Sequence, residues 1–443
     1  MMSVRDHPKA YTSAAVALAF TAGILLTLGF KDFYPDLEGR YQRRLKRAKT
    51  PPGADRRGSI YLPPVKLEDH TRLSTNTLTK TPEIPEGIEG CIGNTPLFKI
   101  KSLSEATGCE ILAKAEFLNG AGGSPKDRVA LSMIQIAEEE GLLTPGQGDT
   151  IYEGTVGSTG ISLATLARAK GYKAYICMPN DQSTEKSDLL HHLGATVERV
   201  TPAPITSTSH FVNLARTRAQ QQTASGQDDT KGFFADQFEN LANYRAHLQG
   251  TGPEIWQQTG GQLDAFVAGA GTGGTISGIT AYLKQEMGMQ GLKVVLADPE
   301  GSGLYNKIKH GVMFSNTERE GTRRRQQVDT IVEGIGINRI TENFEAGREL
   351  IDDAVKVTDV QAMKMARWLV EKDGIFAGSS SAVNCVAAVA TALSLPEGSR
   401  VVTILCDSGT RHLSKFWKSV GELGLEESEH TDLLNILGLE NQR

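Results

Sequence analysis

Cysteine is scarce in this chain, five among 443 residues. Cys91, Cys109, Cys177, Cys385 and Cys406 stand far apart with no C-x-x-C pair, so neither a zinc site nor a disulfide framework is indicated. The expectation is reduced thiols in a cytosol-facing protein. An excess of basic charge is also missing: a net charge of −5 offers no field for a nucleic-acid backbone, and nucleic acid is not expected as a partner. No internal repeat is evident, and too few residues follow the last expected strand to hold a regulatory module. No metal site is expected either. The neighbours His191 and His192 fall on one amphipathic stretch, where adjacent residues face different directions and do not readily share an ion.

Charge is absent from Tyr11 to Phe30, and most of that stretch is apolar. About 20 such residues match the thickness of a bilayer, so residues 11–30 are predicted to be a transmembrane anchor after a short tail, residues 1–10. A cleaved secretory signal fits less well, because the apolar core is long and large residues precede Phe30. Arg5 and Lys9 lie before the span, whereas Lys31, Arg40, Arg43, Arg44, Lys46, Arg47 and Lys49 follow it, which places the C-terminal side in the cytosol. A modest span with basic flanks suits the mitochondrial outer membrane, though an endoplasmic-reticulum anchor has the same physics. Pro, Arg, Thr and Ser then dominate, and residues 31–85 read as a linker.

Beyond the linker the chain is rich in structure: 39% hydrophobic and 22% charged residues with 47 glycines suit an ordinary α/β enzyme. Short apolar runs at 149–153, 172–179 and 196–200 alternate with helical patterns at 161–169 and 185–193, which implies a parallel sheet. The pattern restarts with runs at 263–268 and 293–297, further helices at 360–371 and 382–393, and an apolar strand at 401–405. The expected architecture is a catalytic region, residues 86–420, made of two α/β units with largely parallel sheets. The smaller unit covers about 125–235, and a C-terminal tail, residues 421–443, completes the chain.

Two motifs carry the chemistry. Lys126 follows the glycine-rich turn Asn119-Gly120-Ala121-Gly122-Gly123-Ser124-Pro125, and a lysine held after such a turn suits attack on a carbonyl once its amine is neutral. Gly269-Ala270-Gly271-Thr272-Gly273-Gly274-Thr275 presents unhindered backbone amides ahead of a helix, which suits a phosphate. An aldehyde and a phosphate on one small molecule describe pyridoxal 5'-phosphate. The same glycines satisfy G-x-G-x-x-G, and Asp298 lies where a dinucleotide fold places its ribose-binding acid. That reading leaves Lys126 and the turns at 155–160 and 378–381 without roles, whereas pyridoxal phosphate employs them all.

Gly154-Thr155-Val156-Gly157-Ser158-Thr159-Gly160 opens a helix, and its free N–H groups suit an amino-acid carboxylate. Ala377-Gly378-Ser379-Ser380-Ser381 opens another, with one serine available as an N-cap and a second free to face the cofactor ring. A neutral hydroxyl at a pyridine nitrogen makes a weaker electron sink than a carboxylate does, which favours β-elimination and replacement.

These residues sit among landmarks that together resemble the fold-type II pyridoxal-phosphate enzymes of the cysteine synthase and cystathionine β-synthase group. The landmarks are Ile92-Gly93-Asn94-Thr95-Pro96-Leu97, Ser124-Pro125-Lys126-Asp127-Arg128, Gln237-Phe238-Glu239-Asn240, Thr251-Gly252-Pro253-Glu254-Ile255-Trp256, Gly271-Thr272-Gly273-Gly274-Thr275 and Glu333-Gly334-Ile335-Gly336. The similarity runs from about Ile88 to Lys415, and within the group the chain most resembles membrane-anchored fungal cysteine synthase-like proteins. The resemblance implies the tryptophan synthase β-like fold with two three-layer domains. It makes Lys126 the Schiff-base lysine and general acid/base, and Gly271, Thr272, Gly273, Gly274 and Thr275 the phosphate cup. Ser158 touches the cofactor, and Ser380 faces its nitrogen. Thr155, Gly157, Ser158, Thr159 and Gln237 hold the substrate carboxylate. It further implies β-replacement on an O-activated serine through an α-aminoacrylate, with sulfide giving L-cysteine, in a homodimer whose smaller domain closes over substrate. Serine or threonine dehydration, condensation of serine with homocysteine, or a tethered scaffold without turnover are the alternatives.

One departure stands out. The family's usual Thr-Ser-Gly-Asn-Thr-Gly appears as Thr155-Val156-Gly157-Ser158-Thr159-Gly160. Val156 donates no hydroxyl and Ser158 is shorter than asparagine, so substrate binding is expected to lose one or two hydrogen bonds, about 1 to 3 kcal/mol each.

Overall fold

Among the described residues ten strands form two sheets: β1 (Leu97–Lys99), β2 (Glu110–Ala115), β3 (Thr150–Gly154), β4 (Lys173–Pro179), β5 (Thr196–Val200), β6 (Gly232–Phe234), β7 (Ala265–Gly269), β8 (Lys293–Pro299), β9 (Asp353–Val357) and β10 (Arg400–Leu405). The computed structural model describes residues 84–181, 184–225, 229–313, 330–423 and 433–438. The anchor expected at 11–30, and all but the end of the linker, lie outside the described residues. Among the described residues no helix is long and apolar enough to cross a membrane.

The larger sheet runs β1-β2-β10-β7-β8-β9 and the smaller β5-β4-β3-β6. Every pair is parallel except β1 with β2. Parallel strands need crossover helices, and these cover the sheet faces and demand apolar residues on both sides. The larger sheet shows this residue by residue. Val267, Val295 and Val401 point into a core with Leu103, Ala366, Val383 and Val386, while their neighbours Phe266, Val294 and Val402 point into a core with Ile255, Ile276, Leu283 and Phe344. In the smaller sheet Ile151, Ile176 and Met178 pack with Val129, Met133, Ile134 and Leu166. The helix Phe211–Ser225 lies against Gly154 at the end of β3, where a Cβ would collide with the Val212 backbone.

Strands β1, β2, β6 and β9 are not expected from hydrophobic patterning. Strand β6 has three residues, β9 sits at a sheet edge, and β2 carries the buried Lys114 in its interior. Within the segment expected as a C-terminal tail, a short helix, Leu433–Leu437, inserts Leu433, Leu434 and Leu437 into the larger core. Gln361 of the helix Asp359–Asp373 donates to the Leu437 carbonyl at 2.8 Å.

A buried charge network fixes the helix that begins at Lys126, Lys126–Glu139. Arg128 donates to Glu116 through Nε at 2.8 Å and Nη2 at 2.9 Å, and to Glu254 through Nη1 at 2.6 Å and Nη2 at 2.8 Å. Lys114 donates to Glu254 at 2.5 Å, to the Thr95 carbonyl at 2.6 Å and to Gln258 at 3.0 Å. Two cations and two carboxylates thus satisfy one another where no single charge could remain buried alone. Burial raises the Glu254 carboxyl, but the hydrogen bonds and charges of Arg128 and Lys114 prevail and bring it to about 2. Its contribution to stability is therefore present above the ordinary glutamate range and lost as pH falls toward 2. Glu254→Gln, which leaves Arg128 and Lys114 short of a carboxylate, is expected to cost about 3 to 5 kcal/mol in denaturant unfolding at neutral pH. A cost below about 1 kcal/mol would show that solvent, not Glu254, balances these cations.

Candidate active site

Three strand ends meet. Strand β3 runs into the turn at 155–157, β7 into the glycine loop at 270–273, and β10 into Cys406 and Asp407. Parallel strands leave their carboxyl ends on one edge, where ligands collect.

Lys126 is the first residue of its helix, and its N–H donates to Ser124 Oγ at 3.3 Å. Removal from water lowers the pKa of its amine, while the neighbouring Cys406 and Asp407 oppose that shift. The glycine turn before it is drawn around Asp127, whose carboxylate accepts from Gly122 N and Gly123 N at 2.8 Å and from Ser162 Oγ at 2.6 Å. A side chain at Gly122 would strike that carboxylate.

The three serines divide their work. Ser379 Oγ accepts from Glu333 N at 3.0 Å and Ser381 Oγ accepts from Cys406 N at 2.8 Å. Ser380, also buried, hydrogen-bonds the Cys406 thiol, which burial pushes up to about 12. No serine is the N-cap of the helix Ser379–Leu393; that position belongs to Gly378, correcting the sequence expectation. Gly378 packs so closely on Asp407 and His412 that a Cβ would collide with both.

In the glycine loop, a Cβ on Gly271 would strike the Gly334 carbonyl, one on Gly273 the Phe344 backbone, and one on Gly274 the Asn243 side chain. Gly273 also has φ +89, which disfavours any larger residue. The loop thus keeps bare amides at the start of the helix Gly274–Ala281. Thr272 Oγ1 accepts from Asn243 Nδ2 at 2.8 Å, and the same amide donates to the Gln237 carbonyl at 2.8 Å. Thr275 Oγ1 lies 3.1 Å from Nε2 of the buried His247. Desolvation, reinforced by Arg128 and Lys126, holds His247 well below the usual imidazole range, so it is neutral.

The β3 turn meets the same group of residues. Thr159 Oγ1 donates to Gln237 Oε1 at 2.6 Å, and Gln237 N donates to Glu153 Oε2 at 3.2 Å. Burial raises the Glu153 carboxyl to about 8. Gly157 N donates to Thr155 Oγ1 at 3.3 Å, Ser158 Oγ accepts from Arg411 Nη1 at 3.1 Å, and Val156 is exposed. Lys126, Ser158, Gln237, Gly271–Thr275 and Ser380 are therefore joined through shared neighbours. Asn243, His247, Asp407, Arg411 and His412 are missed by motif reading. They lie in or beside recognisable motifs, but only the fold reveals what they touch.

His412 lies between two carboxylates, with Nε2 3.0 Å from Asp407 Oδ2 and Nδ1 3.5 Å from Glu333 Oε2; Glu333 also meets Lys186 of the helix Thr184–His192 at 2.9 Å. This chain of charges runs from beside Lys126 to a helix of the smaller sheet. Burial pulls the His412 pKa down, but Asp407 and Glu333 raise it to about 9.

The alternative uses of the sequence find no support here. Asp298 is buried and accepts from Tyr305 N at 2.7 Å, so its carboxylate is turned to its own chain. His191 and His192 are exposed, the five cysteines are unpaired, and no cluster of metal-ligating side chains occurs among the described residues.

A desolvated lysine amine, a glycine cradle that any Cβ would fill and a ring of neutral hydroxyls define a lysine-dependent α/β enzyme fitted to an aldehyde-bearing phosphate. The family comparison agrees: the model described as pyridoxal-phosphate dependent enzyme matches residues 88–407. The chain belongs to that family, and pyridoxal 5'-phosphate is its cofactor. It is 69% identical over 453 residues to cysteine synthase 2 of Neurospora crassa, covering 99% of both chains. It is 54% identical over 362 residues to a Saccharomyces cerevisiae cysteine synthase whose name carries a provisional mitochondrial assignment, covering 81% of this chain and 91% of that one. A crystal structure of O-ureido-L-serine synthase superposes with a TM-score of 0.64 at 30% identity, over 78% of this chain and 98% of that one.

Because the folded pKa of His412 exceeds its unfolded value, its contribution to stability is fully present below pH 6.5 and disappears as pH rises through about 9. His412→Asn is expected to narrow its stability difference from the wild type steadily over that interval, in thermal melts at fixed ionic strength. A difference that stays constant with pH would rule out a charged His412.

Proposed function

We propose that this protein forms L-cysteine from an O-activated serine and sulfide by β-replacement. The half-buried Lys126 carries the reading: an amine whose pKa is lowered by partial removal from water spends more of its time as the free base that carbonyl and proton-transfer chemistry require. The relatives named cysteine synthase support the same reaction.

In this scheme Lys126 would hold the cofactor aldehyde and, with its amine free, would take the substrate α-proton and later return it to Cα. The bound cofactor supplies stabilisation of the carbanion that proton removal leaves. Gly271, Thr272, Gly273, Gly274 and Thr275 hold the phosphate, and Ser158 touches the cofactor. Ser380 offers a neutral hydroxyl to the ring nitrogen. Thr155, Gly157, Ser158, Thr159 and Gln237 hold the substrate carboxylate. The Cβ–O bond breaks with loss of acetate when O-acetyl-L-serine is the substrate, and sulfide forms the new Cβ–S bond.

The smaller sheet and its helices form the lobe that closes over substrate, and two copies assemble as a homodimer. Residues 11–30 anchor the protein in a membrane, with the catalytic region in the cytosol. The mitochondrial outer membrane is the favoured site, supported by the basic residues after the span and by the provisional name of the yeast relative. Carbonate extraction and protease accessibility of the full chain on isolated organelles test the anchor; release by carbonate would remove it.

Purified protein loaded with pyridoxal phosphate is expected to convert O-acetyl-L-serine and sulfide to cysteine, and Lys126→Ala to lose roughly 10²- to 10⁴-fold in rate. Pyruvate and ammonia formed at one rate with or without sulfide would replace this reading with a dehydratase.

A further inference from the structure

Arg411 joins two turns of the candidate site. It ends the short turn Gly409–Arg411 after β10, on the larger sheet, yet its Nη1 donates across the cleft to Ser158 Oγ at 3.1 Å. Its Nη2 lies beside Gly122, in the turn that leads to Lys126, at 3.4 Å from where a Cβ on Gly122 would stand. The guanidinium therefore sits between the lysine-bearing turn and the turn at 155–159.

Arg128, Arg218, Arg339 and Arg400 each meet a carboxylate. Arg411 is half-buried, and among the described residues it makes the one hydrogen bond to Ser158 and no ion pair. A guanidinium has five N–H donors in a planar fork suited to a carboxylate, and Arg411 commits one of them to Ser158. Ser158, by accepting from Arg411, keeps its own hydroxyl proton free to donate. Both groups stand at the opening of the helix Ser158–Lys170, whose first N–H groups add donors of the same sense. Charge, fork geometry and helix start all call for one anionic group in this place.

We propose that Arg411 is a specificity-determining residue that receives the carboxylate of the amino-acid substrate together with Ser158. The proposal rests on the assignment of residues 155–159 as the carboxylate seat. It deepens that assignment by supplying a full positive charge where Val156 and Ser158 offer one hydroxyl between them. A substrate acid is then preferred over its amide chiefly through Arg411.

The test compares binding of L-alanine, which has no β-leaving group, with L-alaninamide, by titration calorimetry on protein loaded with pyridoxal phosphate. Wild type is expected to favour the acid. Arg411→Gln is expected to weaken the acid by about 10- to 100-fold and leave the amide within about threefold, with cofactor content unchanged. Arg411→Lys, which keeps the charge without the fork, is expected to fall between them. In turnover the loss should appear mainly in KM, with kcat changed far less. Equal weakening of acid and amide, or loss of cofactor from both variants, would make Arg411 a structural strut and overturn the proposal; so would unchanged acid binding. The binding assay involves neither sulfide nor product, so acid preference that depends on Arg411 stands even if no cysteine forms. Cysteine formation with an unaltered KM in Arg411→Gln overturns the role of Arg411 alone.

Discussion

The removal of one amine from water governs this structure. A lysine on a surface is a cation, and a cation is a poor nucleophile and a poor base; Lys126 is held instead where desolvation favours the neutral form. Keeping it there demands support on every side. Asp127 gathers the preceding turn and Arg128 locks the helix to Glu116 and Glu254, while the charges of Cys406 and Asp407 at the end of β10 act against the neutral form. Each support lies within two residues of Lys126. The chemistry open to Lys126 is thus a consequence of packing.

The same logic links the remaining parts. Asn243 binds the Gln237 carbonyl and Thr272 through one amide, which ties the Gln237 segment to the glycine loop. His247, kept neutral by burial, stands behind Thr275 within the field of Lys126 and Arg128. From Asp407 the charges of His412, Glu333 and Lys186 reach a helix over the smaller sheet. The two sheets therefore communicate through ion pairs as well as through shared backbone, and Arg411 adds a second connection at Ser158.

Much of this was legible in the chain. The strands at 150–154, 173–179, 265–269, 293–299 and 400–405 announce themselves because burial on both faces makes them mostly apolar, while the strand at 196–200, at the edge of the smaller sheet, shows through its β-branched Thr196, Val197 and Val200. Lys126 and the glycine loop are equally visible, since their chemistry needs particular residue types in consecutive order. Strands β1, β6 and β9 escape because three-residue strands and half-exposed edges carry too little periodicity, and β2 because the buried Lys114 interrupts its apolar run. The serine triplet shows both sides of this. Its richness in hydroxyls is readable, but the separate partners of Ser379, Ser380 and Ser381 depend on Glu333 and Cys406, which are distant in sequence.

By itself the sequence determined the α/β class and marked the lysine and the glycine loop, because each is encoded by local order: alternation of runs, a residue after a turn, amides without side chains. The tertiary structure alone decided which carboxylates surround His412, that burial holds His247 below the usual imidazole range, and that Arg411 faces Ser158. Those properties come from charge and solvent exclusion acting between residues as far as 253 positions apart, and no local pattern records a distance that only folding creates.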